Sequence, residues 1–194
     1  MKKYLKLLFR GLFFLLALPV CIMFWLLAAV SNKDATFAGF SQALSLIPGK
    51  IGVYYRAAFY STVCKNVHRD IVVGFLTVFS HYDIEIEEGV YIGPQCNIGM
   101  CRIGKDALVG SGVHILSGKE QHSFEEKDVP IQQQKGQYKK VSIGTNCWIG
   151  NQATVLDNIE RDCVVGAGSV VVHSSFKTGD IVAGNPARKI KSRI

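Results

Sequence analysis

The sequence predicts an all-β domain, a parallel β-helix with one protruding loop, preceded by a membrane-associated helical region. Three observations carry that reading. A branched aliphatic residue, usually followed by Gly, returns about every sixth position, at Ile86, Ile92, Ile98, Ile103, Val109 and Ile115, and again at Ile143, Ile149, Val155, Ile159, Val165 and Val171. A small residue recurs four places after the aliphatic: Val90, Cys96, Ala107, Val113, Cys147, Ala153, Cys163 and Ser169. Before the repeat, an uncharged apolar run from Gly11 to Val30 follows a start carrying Lys2, Lys3, Lys6 and Arg10.

A period of six fits no helix face and is too short for alternating helix and strand. It suits short strands joined by tight corners. The aliphatic points inward, Gly or a small acid turns the corner, and the small residue fills the remaining interior volume. Stacked hexapeptide units make a parallel β-helix, in which each coil buries its neighbour and no unit is stable alone.

The first element is residues 1–35. Its apolar run is about the 20 residues needed to cross a bilayer once. We expect a retained anchor, with a cleaved signal peptide as the rival. Pro19 removes a backbone donor in mid-run and is expected to break or bend the helix. The positive-inside tendency puts the start of the chain in the cytoplasm.

The second element is residues 36–70. Phe37, Phe40, Leu44 and Ile47 recur at helical spacing and predict an amphipathic helix ended by Pro48-Gly49. The aromatic stretch that follows suits the membrane interface, and equally a helical cap on the first coil.

The third element, residues 71–194, is the β-helix. Ile71 to Ile84 is expected to form a first, irregular coil. Residues 117–140 break the period and are polar, which predicts a loop leaving the stack at a corner. Long ordered loops on rigid scaffolds usually carry function. After Val171 a turn-rich stretch leads to a basic C-terminal tail.

Composition narrows the function. The chain has 194 residues and a formal net charge of +7. A basic balance fits nucleic acid, an anionic membrane or a phosphate-bearing ligand. No nucleic-acid motif is present, so the last two are expected. Four of the six cysteines, Cys96, Cys101, Cys147 and Cys163, occupy interior slots of the repeat and read as buried thiols in a reducing compartment. No Cys-x-x-Cys pair signals zinc.

The motifs VSIGTNCWIGNQATV, VVGAGSVV and AGNPARKI, in that order and with a His-bearing loop upstream, resemble the hexapeptide-repeat acyltransferases. The similarity is to the branch of galactoside, maltose and xenobiotic acetyltransferases, and within it to the exopolysaccharide and capsule O-acetyltransferases. It covers roughly residues 71–194. The resemblance implies a left-handed β-helix, a homotrimer, and acetyl transfer from acetyl-CoA to a hydroxyl of a sugar or polysaccharide, free or lipid-linked, with no metal. His122 matches the family's catalytic base; Glu125 or Glu126, or a backbone carbonyl, would orient it. Trp148, Asn151, Ala167 and Val172 fall at positions that meet the pantetheine arm. Arg188 and Lys191 match basic residues near the nucleotide. Asn97 corresponds to an acceptor-pocket residue. His173 stands where the family more often has Thr or Lys.

Two other functions compete. A zinc enzyme like the γ-class carbonic anhydrases would need three histidines at a subunit interface, and His81, His114 and His122 are available. A non-catalytic trimeric scaffold for polysaccharide assembly is the other. The expected location is the bacterial inner membrane, with the catalytic domain facing the cytoplasm, where acetyl-CoA is made. The helical region is then re-entrant or interfacial rather than a single span.

Overall fold

The computed structural model describes residues 2–193; the side chains of Lys2, Lys3 and Leu5 lie outside what it describes. Three helices precede the repeat: α1 (Lys2–Val30), α2 (Lys33–Ser45) and α3 (Gly49–Val63). The expected break at Pro19 does not occur, and α1 is helical through it. One residue without a donor removes a single hydrogen bond, and the remaining turns hold the helix. The second element is two helices rather than one. The chain turns at Leu46–Pro48, where Pro48 is the N-cap of α3.

The β-helix begins earlier than Ile71, at Asn66–Val67, which pairs in parallel with Ile84–Ile86. Five coils follow, spanning residues 66–79, 84–98, 101–115, 141–155 and 159–171. Each contributes one short segment to each of three faces, and equivalent segments on successive coils are parallel. Face one holds Asn66–Val67, Ile84–Ile86, Cys101–Ile103 and Val141–Ile143, with Ile159 bridging to Ile143. Face two holds Val72–Val73, Tyr91–Ile92, Leu108–Val109, Trp148–Ile149 and Val164–Val165. Face three holds Val78–Phe79, Asn97–Ile98, His114–Ile115, Thr154–Val155 and Val170–Val171. The repeat aliphatics from Ile86 to Val171 are all buried, as are the small residues four places later. Alternation along a strand therefore sends one residue of each short pair into the core and its neighbour to the surface.

The corners are turned by Gly or a small polar residue, as expected, and the left-handed backbone falls three residues after the aliphatic, as at Gly89, Gly112 and Gly168. Gln95, Asp106, Asn146, Gln152 and Asp162 have φ between 56° and 62°. Their amides donate to the coil before: Asp106 to the carbonyl of Glu88 at 3.0 Å, and Asn146 to that of Lys105 at 2.8 Å. The Gly after the aliphatic serves close approach instead. A Cβ on Gly104, Gly144 or Gly150 would sit closer than 3.0 Å to the backbone of the next coil.

The two ends of the stack are covered. At the first coil, the Leu76 amide donates to the Ser45 carbonyl at 3.0 Å, and the Phe79 amide donates to Ser41 Oγ at 2.8 Å. Fully buried Arg56 donates to the carbonyls of Val73, Leu44 and Ile47. The helices thus satisfy a strand edge that would otherwise invite aggregation. At the last coil, Asp180–Gly184 adds to face two and folds back antiparallel on Ala187–Ser192. The expected basic tail is this second strand.

α1 lies across the open end of the first coil. Its stripe Phe13, Ala17, Cys21 and Phe24 is buried against α2 and α3, while Leu12, Leu15, Leu16, Ile22, Met23 and Leu26 are exposed. Near its start, Lys6 and Arg10 pair with Asp70, at the corner between faces one and two. Near its end, Phe24 stacks on Tyr82 with centroids 6.1 Å apart. Tyr82 sits between coils 1 and 2. Both ends of a segment about 28 Å long, at 1.5 Å per residue from Lys6 to Trp25, therefore touch the same end of the β-helix.

Candidate functional site

Residues 117–140 leave the stack at the corner between faces three and one, after His114–Ile115. Coils 3 and 4 still pair in register beneath them, Cys101 with Val141 and Ile103 with Ile143. The two arms of the loop are held together, with the Gln137 amide donating to the Glu120 carbonyl at 2.6 Å and the Lys139 amide to the Ser117 carbonyl at 2.9 Å. The crossing is tight at Gly136, where a Cβ would collide with the Gln121 carbonyl. Buried Gln134 latches the tip: its amide nitrogen donates to the carbonyls of Glu126 and Val129, both at 2.8 Å. Lys140 anchors the returning arm to Asp83 at 2.6 Å and Glu85 at 2.8 Å. A polar stretch with little core of its own is thus fixed by main-chain pairing and one amide.

His122 is exposed on this loop and lines a cleft of about 450 Å³ with Glu120, Ser123, Phe124, Glu125, Lys135 and Gly136. Among the described residues no hydrogen bond holds its imidazole. Glu125 shares the cleft; Glu126 engages Gln134 through its backbone at 3.2 Å. A neighbouring hollow of about 170 Å³ is lined by Asn97, His114, Ser80, Ser117 and the loop's Gln121. Asn97 and His114 are cross-strand partners on the outside of face three. Consecutive loop residues, Gln121 and His122, therefore border the two cavities. His114 is a site neighbour that the sequence placed only among possible metal ligands. Its signal was its position one residue before an inward aliphatic, the same place as Asn97.

The remaining candidates fall elsewhere. Trp148 stands outward on face two, 53% exposed, between its register partners Leu108 and Val164. Tyr91 and Leu108 continue this apolar ladder, each 44% exposed. Asn151 and Ala167 stack at the corner between faces two and three, where the Gly168 amide donates to the Asn151 carbonyl at 2.8 Å. The Asn151 side chain accepts from the Ser111 amide at 3.0 Å, so its oxygen is spent on joining two coils. Arg188 and Lys191 are exposed on the terminal strand, opposite Ala183 and Ile181. Lys189, which the sequence reading passed over, pairs with buried Asp180 at 2.6 Å. Val172 ends face three on the last coil, at the loop's side of that face. His173 follows it and is exposed.

One chain thus holds two groups. The loop, Asn97 and Val172 lie on face three or its edge toward face one. Trp148, Asn151, Ala167, Arg188 and Lys191 lie on face two or its edges. The cleft at His122 contains none of the second group. His81, His114 and His122 are not gathered either: His81 bonds Ser80 at 2.8 Å and packs on Tyr138, and no metal-holding cluster of three such side chains exists among the described residues. Burial pushes the Cys101 and Cys147 thiols up to about 12, so neither supplies a thiolate near neutral pH.

No family model matches the chain. Over 121 residues it is 31% identical to the Escherichia coli (strain K12) protein named "Putative lipopolysaccharide biosynthesis O-acetyl transferase WbbJ", covering 59% of this chain and 60% of that protein. Over 110 residues it is 30% identical to a chloramphenicol acetyltransferase of Klebsiella aerogenes, covering 47% and 50%. The chain therefore spans half to three-fifths of the curated relatives it matches. Among solved structures it superposes on a maltose O-acetyltransferase from Clostridium difficile 630 with a TM-score of 0.70 at 20% identity, over 84% of this chain and 90% of that one. A galactoside acetyltransferase in complex with coenzyme A gives 0.66 at 19%, over 84% of each. At these identities the likeness is one of fold, and the fold is the left-handed parallel β-helix.

Proposed function

We propose that this chain is a hexapeptide-repeat acyltransferase and that it transfers acetyl from acetyl-CoA to a hydroxyl of a sugar in a cell-envelope or exported polysaccharide. The observation that carries the reading is the loop. It is the one long departure from the repeat, it is latched rather than loose, and it presents His122 at the rim of an open cleft. A hydroxyl is a weak nucleophile. A base at that position takes its proton as the oxygen attacks the thioester carbonyl, and the CoA thiolate leaves. An imidazole has the range to accept a proton near neutral pH and release it afterwards. Asn97 and His114, beside the same loop, offer donors and acceptors to sugar hydroxyls.

The donor needs an apolar slot for its arm and cations for its phosphates. The ladder of Trp148, Leu108 and Tyr91 is such a slot, and Arg188 and Lys191 are such cations. They occupy a different face from His122. A second copy that sets its face two against face three of the first would bring both groups together, and three copies close the ring. This is the argument for a homotrimer with sites between subunits.

The helical region supports a membrane setting. α1 is long and apolar enough to cross a bilayer. Yet its two ends contact one end of the β-helix, so a crossing would have to pull one end away. We infer that α1 lies in the interface of the inner membrane, half-sunk through its outward Leu, Ile and Met side chains, with the β-helix on the cytoplasmic side. That geometry suits an acceptor carried on a lipid.

The test is transfer of labelled acetyl from acetyl-CoA to envelope glycans by the purified full chain. Labelled glycan from the native chain and none from His122→Ala, with the oligomer intact, supports the assignment. Label incorporated equally by both removes His122 as the base, and no transfer by either leaves the scaffold reading in its place.

A further inference from the structure

We propose that the cleft between α1, α3 and the first corner of the β-helix binds the phosphate of an anionic phospholipid. The cleft is about 360 Å³. Its floor is apolar, from Leu7, Phe14, Tyr54 and Ala57, and its rim carries Arg10, His68 and Arg69. It lies at the opposite end of the β-helix from the terminal strand, and it shares no residue with the cleft at His122.

The charges at the rim are not all spent. Asp70 takes up Lys6 at 2.9 Å and also Arg10. One carboxylate therefore answers two cations. Arg69 has no carboxylate partner among the described residues. Its guanidinium instead lies over the Phe14 ring, 5.3 Å from the centroid. The N–H donors of this fork therefore have no carboxylate to neutralise them among the described residues, and such a fork matches the paired oxygens of a phosphate. His68 accepts from the Asp70 amide through Nδ1 at 3.0 Å, which puts the ring proton on Nε2 as a further donor.

Position selects the ligand. Leu7 of α1 lines the cleft and is itself 54% exposed, with Leu8, 70% exposed, next to it on the helix. Cations beside exposed apolar side chains on an interfacial helix sit at headgroup depth, with acyl chains beside them. The ligand is then a phosphodiester joined to hydrocarbon, not a soluble anion. The proposal rests on the membrane reading of α1, but its readout, lipid identity in detergent solution, does not depend on how α1 meets a bilayer.

The experiment is native mass spectrometry of the full chain in detergent, titrated with phosphatidylglycerol, phosphatidylcholine or diacylglycerol, with inorganic phosphate as competitor. The native chain should retain phosphatidylglycerol over the other two. An Arg69→Glu variant should lose affinity for it by about 25-fold, two charge steps of about fivefold each, and Arg69→Gln by about fivefold. Arg69 is exposed on a turn, so both variants should keep the native melting temperature. Equal retention of the three lipids overturns the proposal, as does an unchanged affinity in both variants. Displacement of phosphatidylglycerol by millimolar inorganic phosphate overturns the lipid assignment and makes the cleft a site for free phosphate.

Discussion

Replacing Arg56 tests how the helical cap is joined to the β-helix. Its side chain is fully buried. Nε donates to the Val73 carbonyl at 2.9 Å, and Nη1 to the carbonyls of Leu44 at 3.0 Å and Ile47 at 2.8 Å. Among the described residues Nη2 has no partner, and burial lowers the guanidinium's pKa. Two effects oppose. Burying a charge without a carboxylate costs several kcal/mol, which Arg56→Met, similar in length, would recover. The same change takes a charged donor from three main-chain carbonyls; that of Leu44 still accepts from the Ile47 amide at 3.3 Å, while those of Val73 and Ile47 lose the donor at about 1–3 kcal/mol each. Those carbonyls belong to the backbone and cannot be mutated away. The second effect should win, with a net loss of about 1–3 kcal/mol, the cost of one buried acceptor left bare after the recovered desolvation is set against the other.

For a chain of this length each kcal/mol moves the midpoint by about 2–4 °C, so the expected drop is about 2–12 °C. Thermal unfolding in mild detergent, followed by Trp fluorescence, reads it. Limited proteolysis should cut first between α2 and α3, where Arg56 holds the turn. Arg56→Lys keeps the charge but reaches fewer acceptors and should fall between. An Arg56→Met protein as stable as the native chain would refute the reasoning, because the carbonyls would then have found other partners at no cost.

Four further outcomes are expected. His122→Ala should keep its oligomeric state and CoA binding and lose turnover by about 10²–10⁴-fold, typical of a missing general base; near-normal steady-state turnover would remove the residue from the chemistry. Gly144→Ala, whose Cβ would meet the Arg161 backbone closer than 3.0 Å, should destabilise by about 1–3 kcal/mol, while Gly39→Ala, with open space around it inside α2, should gain about 0.5–1 kcal/mol; equal thermal shifts would contradict the packing account. Ellman titration of the native chain should find almost no fast thiol and, after denaturation, six, because all six are buried; a thiol that reacts within seconds in the native chain would be inconsistent with that burial. The Lys189 hydrogen bond holds the Asp180 carboxyl below the usual carboxylate range, so its contribution is present above the ordinary carboxylate pKa of about 3.9 and fades as pH falls through the lowered value. Hydrogen exchange of the terminal hairpin should accelerate below that pH, and Asp180→Asn should remove the step; an unchanged step in the variant would assign it to another group.

The β-helix was legible because its signal is local. An aliphatic at Ile149 and a small residue at Ala153 are each forced by one coil's interior, and the next coil repeats the demand. The start at Asn66 was hidden because the first coil packs on helices and not on a preceding coil, which relaxes its pattern to His68-Arg69-Asp70. The role of Gly144 was hidden for a related reason. Close approach to the next coil is a contact between residues far apart in the chain, and only the stack reveals it. His122 could be placed on a loop from the break in period. Its distance from Trp148 and Arg188 could not, because faces two and three are separated by the cross-section of the coil and the period carries no label for a face. Nothing local marks Arg56, in an aromatic stretch that suits a membrane interface as well as a cap, as the buried donor to three carbonyls.

Which faces are left for self-association follows from how the stack is closed. A β-helix has two ends and three sides. Here the first end is covered by α1, α2 and α3, and the last is extended on face two by the hairpin, whose outer strand carries Arg188, Lys189 and Lys191, charges that disfavour joining copies end to end. Face one is dressed with ion pairs. Arg102 reaches Glu87 at 3.2 Å, and Lys140 reaches Glu85 at 2.8 Å. Pressing a second copy onto it would strip water from those charges for little return. Face two presents Tyr91, Leu108 and Trp148, each more than 40% exposed. Face three presents Asn97, His114 and Thr154 beside the loop. Face two is therefore the side with apolar surface to lose on association, and face three is the side with polar groups to aim at a substrate. A contact that sets one against the other is heterologous, and in a ring it closes with the same contact repeated around the axis. Such a ring leaves face one to water and keeps every helical cap at the same end. All caps could then meet one membrane surface together, each adding its own apolar α1.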